Sequence, residues 1–265
     1  MIIYKKFQRR NILFLILGLI VLLSYNTISG NTRIINILDP WGSAAQETVR
    51  RNSIGLFMTE VLNSRNHMLL FSLIFIICLF LAMTNFSDSW LYRLSRKKII
   101  AYNNRQMIRM SSIFATIFLI MTILTFCYFA PLFFKYWYMM LIYLAIEWFA
   151  LFLFYLIVAQ LFQILMYLFL SFGPALVCSI LILMFLYFAP TSLGVEIWSP
   201  NNFISDLYLN YVEQVYYAYQ LKMPVTLIPL VWENSLIMIF VILVLEVAKQ
   251  LLIRQKNFIL KERIS

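Results

Sequence analysis

The chain has 265 residues, of which 63% are hydrophobic and only 12% are charged, and its mean hydropathy is +0.85. Soluble domains carry roughly 25% charged residues, so this composition excludes an ordinary soluble protein and predicts an all-α polytopic membrane protein. The net charge of +10 raises the question of a nucleic-acid partner. Because the Lys and Arg residues border apolar runs instead of lining one exposed face, no nucleic-acid partner is predicted.

Six apolar runs predict six transmembrane helices within a single transmembrane domain, residues 1–265, because about 20 helical residues cross a hydrocarbon layer of about 30 Å. The predicted spans are residues 11–29, 68–86, 110–134, 137–157, 166–189 and 232–253. The first run lacks an Ala-x-Ala-like cleavage site and is therefore predicted to remain as a span. Spans four and five come from one long apolar stretch, which is predicted to break near Leu170-Ser171-Phe172-Gly173-Pro174.

The distribution of positive charge predicts that both termini are cytoplasmic. In this orientation fifteen of the 21 Lys and Arg residues lie inside, in the segments 5–10, 93–109 and 249–263. The predicted location is the cytoplasmic (plasma) membrane of a bacterial cell, with membrane lipids as the surroundings.

Two predicted outer segments, 30–67 and 190–229, each contain an amphipathic pattern, at residues 54–62 and 204–219. Apolar residues there recur at helical spacing, which favours helices lying on the outer membrane surface. The tyrosines of the second segment suit an interfacial belt, and the alternative is a lid that contacts a substrate.

The cytoplasmic segment 87–109, between spans two and three, has an apolar stripe within a basic loop. Trp90, Leu91 and Leu94 share one side of a short predicted helix, and a second helix is predicted to run from Arg96 into span three. The alternative is a solvated basic loop that only sets the orientation of the protein.

This segment reads Tyr92-Arg93-Leu94-Ser95-Arg96-Lys97-Lys98-Ile99-Ile100 and resembles the coupling segment of the six-span permease subunits of type-two ABC exporters. The stretch Ile197-Trp198-Ser199-Pro200-Asn201-Asn202-Phe203 is similar to the Ser-Pro-containing segment before their last span. The resemblance implies a dimeric pore with a second permease copy or paralogue, and a separate soluble ABC ATPase subunit that binds ATP and Mg. It also implies that the ATPase-coupling candidates are Trp90, Leu91, Leu94 and Arg96.

No cofactor site is predicted on this chain, which lacks a Gly-x-x-x-x-Gly-Lys-[Ser/Thr] loop. No catalytic or metal site is predicted either, because the sole histidine, His67, is expected at the outer edge of span two and no protease motif occurs. The rival functions are a stand-alone immunity or sensor protein that binds a membrane-active peptide, and a secondary transporter. The apolar, aromatic composition favours an amphipathic cargo such as a peptide or lipid.

Three charged residues within the predicted spans are candidates for function, since an intramembrane charge costs roughly 2.5 to 3.5 kcal/mol. Glu147 is expected near the midplane, either hydrogen-bonded between helices or across a dimer interface, or taking part in a cargo or proton path. Glu246 and Lys249 are expected to form a local pair, with the lysine snorkelling to the inner surface. Gln160 and Gln163 are expected to mark the water boundary.

Overall fold

The computed structural model describes residue 18 and residues 66–83, 96–129, 137–193 and 228–262, and over these residues it is helical without strands. A π-helical turn, Asn66–Phe71, leads directly into the first α-helix. The α-helices are α1 (Ser72–Ala82), α2 (Arg96–Phe129), α3 (Trp137–Phe169), α4 (Phe172–Leu193) and α5 (Ile228–Glu262).

Three of these helices are long and apolar enough to cross a membrane, over Ile100–Leu124 of α2, Leu144–Phe169 of α3 and Ser235–Ile253 of α5. Two shorter apolar helices cover His67–Ala82 and Phe172–Phe188. Such helices are compatible with a membrane location, as the composition predicts. Only Gly18 of the first predicted span is described, so six spans and cytoplasmic termini stay predictions.

Helix α3 forms the centre of the bundle and contacts α1, α2, α4 and α5. Over two turns in its middle, residues 153–160, every residue except the partly buried Leu156 is buried, which means that every side of the helix is covered there. Helix α5 is peripheral, because its apolar residues are mostly exposed and only a narrow stripe faces α3. Because α3 is central, its buried polar side chains, Glu147, Gln160 and Gln163, lie among the other helices.

The predicted break between spans four and five is found, and the helices there do not end at the span limits predicted near residues 157 and 166. Helix α3 continues to Phe169, and α4 begins at Phe172. The turn is made by Leu170, which has a φ of 57° and whose backbone N–H donates to the Met166 carbonyl at 3.0 Å. Pro174 lies within the first turn of α4, where its missing N–H costs no helical hydrogen bond.

Helix α2 begins at Arg96 and continues without interruption through the apolar span. The basic run and span three are thus one helix, in agreement with the second helix predicted from the sequence. The coupling candidates Trp90, Leu91 and Leu94 lie outside the described residues, as do both amphipathic patterns, at residues 54–62 and 204–219.

Candidate functional site in a buried polar network

The most concentrated polar cluster surrounds Lys249 on α5, whose side chain is only 1% exposed. Its ammonium group donates to Asn104 Oδ1 of α2 at 3.2 Å and to Gln163 Oε1 of α3 at 3.3 Å. It also forms an ion pair with Glu246, one turn earlier on α5. An ammonium group has three N–H donors, so these three acceptors from three helices satisfy it completely.

Further hydrogen bonds close the cluster. The Gln163 amide nitrogen donates to Asn104 Oδ1 at 3.2 Å and to the Tyr167 hydroxyl at 3.1 Å. The Gln160 amide nitrogen donates to Glu246 Oε2 at 3.4 Å. We call this set the Lys249 network, and its members are Asn104, Gln160, Gln163, Tyr167, Glu246 and Lys249.

Helical spacing explains why these side chains share one place. Gln160, Gln163 and Tyr167 follow one another at i, i+3 and i+7 on α3, and Glu246 and Lys249 are separated by three residues on α5. The pair between Glu246 and Lys249 forms as the spacing predicts. The snorkelling predicted for Lys249 is wrong, because its ammonium group finds all its acceptors inside the bundle.

The prediction that Gln160 and Gln163 mark a water boundary is also wrong, since the two side chains are 3% and 0% exposed. Their amide groups bond to protein partners, and burial costs a hydrogen-bonded amide much less than an unpaired one. The signal that could have found the site is polar residues repeating on one face of an otherwise apolar helix.

Glu147 lies nearer the Trp137 end of α3 and is 2% exposed. Its Oε1 accepts a hydrogen bond from the Thr122 hydroxyl of α2 at 2.7 Å. Its Oε2 has no hydrogen-bond partner among the described residues. The carboxyl group therefore connects two helices within one chain, and its second oxygen is free to meet a further donor or acceptor.

His67 lies inside the bundle and not at its outer edge as predicted. It is fully buried, its Nδ1 is 3.0 Å from the Tyr155 hydroxyl, and its ring is 4.7 Å from that of Phe118. Tyr155 lies halfway between Glu147 and Gln163 along α3, and eight helical residues separate it by roughly 12 Å from each of them. Polar groups thus occur at three levels of α3.

The space between these levels is filled by apolar and aromatic side chains. The rings of Phe71, Phe118 and Phe154 surround His67 on several sides, with ring centres between 4.7 and 6.1 Å from it. The three polar levels are therefore separate groups in the described part of the chain and do not form a continuous polar path.

The described residues hold no group of three or more His, Cys, Asp or Glu side chains that could bind a metal ion. The hydrogen bonds of the Lys249 network can fix the relative position of α2, α3 and α5. If these helices shift, the bonds from Lys249 to Asn104 and Gln163 must lengthen or break. No protein-family model, curated protein or solved structure matches the chain.

Proposed function

We propose that this chain is the permease subunit of an ATP-driven exporter of the type-two ABC class, and that it moves an amphipathic cargo, peptide or lipid-like, across the cytoplasmic membrane. The observation that carries the proposal is the continuity of α2. One unbroken helix joins the basic run beginning at Arg96 to an apolar span that packs against the central α3. Such a helix can carry a displacement from the cytoplasmic coupling segment into the membrane.

The Lys249 network gives this displacement a route to the other helices. Asn104 lies eight residues after Arg96, roughly 12 Å along α2, and accepts hydrogen bonds from both Gln163 and Lys249. A shift of the cytoplasmic end of α2 would therefore pull on α3 and α5 together. Hydrogen-bonded networks with two discrete arrangements are a physical means of coupling distant sites.

The packed interior of the described bundle supports a pore formed between two copies. Aromatic side chains fill the space around Tyr155, while α4 and α5 expose large apolar residues along their lengths. Examples are Leu181 and Phe185 on α4 and Phe240 and Leu243 on α5, each at least 58% exposed. Lipids and a second permease copy or paralogue are the expected cover for these faces, and ATP with Mg belongs to the ATPase subunit.

The decisive experiment tests whether Trp90 and Leu94 bind an ATPase. The chain is co-expressed with an ABC ATPase encoded beside it, and Trp90→Ala with Leu94→Ala is expected to release the ATPase or abolish transport-coupled hydrolysis while leaving expression intact. A matched control is Trp198→Ala with Leu207→Ala, the same residue types on the predicted outer side.

The proposal fails if the Trp90 and Leu94 variant retains full association and coupling, or if no ATPase co-purifies with the parent chain. In the second case a stand-alone immunity or sensor protein becomes the better explanation. Loss of association in both the variant and its control would also count against a specific docking surface.

Orientation is tested separately by cysteine labelling in intact cells. Residues beside Arg51 and Glu213 are expected to react with a membrane-impermeant thiol reagent from outside, and residues beside Lys97 and Lys256 only after permeabilisation. Labelling of the Lys97 and Glu213 positions from the same side would contradict six spans.

A further inference from the structure

A groove of about 570 Å³ runs along one face of α2 at its basic end. Its volume lies within the range of roughly 300 to 1,000 Å³ that is typical of ligand sites. Arg105 and Arg109 line it one helical turn apart, and Ala101, which has almost no side chain, leaves space beside them. The groove is therefore open, and its positive charge comes from these two arginines.

The two guanidinium groups lack an anionic partner among the described residues. Arg105 and Arg109 are exposed, and the carboxylate of Glu246 already pairs with Lys249. Glu246 therefore does not neutralise the positive charge of the two arginines. A planar guanidinium fork is well matched to phosphate oxygens.

Asn104 connects the groove to the Lys249 network and adds a directed donor. Lysine ammonium groups can only donate, so the Asn104 atom that faces Lys249 must be the carbonyl oxygen Oδ1. The same oxygen also accepts from Gln163. The amide nitrogen is consequently on the other side of the group and has no hydrogen-bond partner among the described residues, while Asn104 itself lines the groove.

The remaining described lining includes Ile108 and Ile113, and Ile108 is 51% exposed. Both arginines fall within the apolar window Ile100–Leu124, near its first turns. A site with cations at one end and isoleucines further along the same helix suits a molecule with a phosphate head and a hydrocarbon tail. A free phosphate ion would use the arginines but gain nothing from the isoleucines.

We propose that this groove binds an anionic phospholipid, with the phosphate at Arg105, Arg109 and the Asn104 amide nitrogen and one acyl chain along Ile108 and Ile113. Basic residues at the cytoplasmic end of a transmembrane helix attract such headgroups by the same chemistry. Because Asn104 also holds Lys249, the bound lipid would stabilise the position of α2 against α3 and α5. The inference requires a membrane location but no particular transport function.

The test uses the purified full chain in detergent, with bound lipid counted by native mass spectrometry and thermal unfolding measured in parallel. Phosphatidylglycerol is expected to bind and raise the unfolding temperature, whereas phosphatidylcholine and inorganic phosphate are not. Arg105→Gln with Arg109→Gln is expected to weaken phosphatidylglycerol binding by about 25-fold, taking roughly fivefold for each cation near a membrane surface.

A second variant tests the groove without changing its charge. Ala101→Phe fills the space beside the arginines and is expected to abolish lipid binding. Ala248→Phe places the same bulk on an exposed alanine of α5, at the same end of the bundle but outside the described lining of the groove, and is expected to bind lipid like the parent. Either the arginine variant or Ala101→Phe therefore suffices to test the site, even where the other fails to fold.

Several results would overturn the proposal. Unchanged phosphatidylglycerol binding in the arginine variant or in Ala101→Phe would remove the groove as the site. Equal stabilisation by phosphatidylcholine would remove the role of the negative headgroup. Stabilisation by inorganic phosphate alone would replace the phospholipid with a soluble anion.

Discussion

Replacing Lys249 with methionine tests the Lys249 network most directly. Methionine keeps an unbranched side chain but removes the charge and all three donors, so Gln163 Oε1 and Glu246 each lose a partner. The change removes two interhelical hydrogen bonds, from Lys249 to Asn104 and to Gln163, and such bonds in membranes average about 0.6 kcal/mol each. Breaking a buried ion pair costs about 3 to 5 kcal/mol, but Glu246 is 30% exposed, which reduces this cost.

The expected loss is therefore about 2 to 3 kcal/mol in the free energy of unfolding. It is measured by titrating the detergent-solubilised chain with SDS and following helicity and tryptophan fluorescence. Glu246→Gln and the double variant complete a thermodynamic cycle, and the double variant is expected to lose about 1 kcal/mol less than the sum of the single variants. Val247→Ala, at an exposed neighbouring position, is the control and is expected to change little.

Two outcomes would refute this reasoning. If Lys249→Met unfolds like the parent, the ammonium group does not hold the three helices together in solution. If the effects of the Lys249 and Glu246 changes simply add, the two residues do not act as a pair. A lysine that snorkels to the surface would give both results.

Three further predictions use the same SDS titration. Glu147→Gln is expected to unfold within about 0.5 kcal/mol of the parent because its amide oxygen can accept from Thr122, whereas Glu147→Ala should lose about 1 kcal/mol or more; equal losses would contradict the hydrogen bond. Tyr155→Phe should lose about 1 kcal/mol with its hydrogen bond to His67, and no loss would mean that the bond is absent. Leu170→Gly should be neutral or stabilise by up to about 1 kcal/mol, since glycine tolerates a φ of 57° and the leucine is 69% exposed, while Leu170→Val should destabilise.

The sequence predicts the helical class because its apolar runs are long and nearly free of charge. It does not predict which helix is central. The apolar segments Leu144–Phe169 of α3 and Ser235–Ile253 of α5 are similarly hydrophobic, yet most of the first segment is buried and most of the second is exposed. In a soluble protein a polar face would distinguish them, but lipid-facing residues are as apolar as core residues, so periodicity carries little of this information.

Within the Lys249 network, contacts inside one helix follow from the sequence, and contacts between helices do not. The pairing of Glu246 with Lys249 depends on the spacing within one helix and follows from the sequence. The bonds from Lys249 to Asn104 and Gln163 connect residues far apart in the chain and depend on how three helices align along their axes. Helical spacing alone does not give that alignment, so the sequence is equally compatible with a Lys249 side chain at the surface. The network can be recognised only in the folded bundle.

The arrangement of polar groups along α3 limits where the cargo of the proposed exporter could pass. Glu147, Tyr155 and Gln163 follow at intervals of roughly 12 Å, and the aromatic rings around His67 separate the first level from the third. A path through the described interior would require these rings to move apart, which would break the packing around the most buried helix. Passage along the exposed faces of α4 or α5 needs no such disruption. For the proposed exporter, the packing therefore favours a cargo path between two chains over a path through one, and the buried polar levels would hold the helices in register.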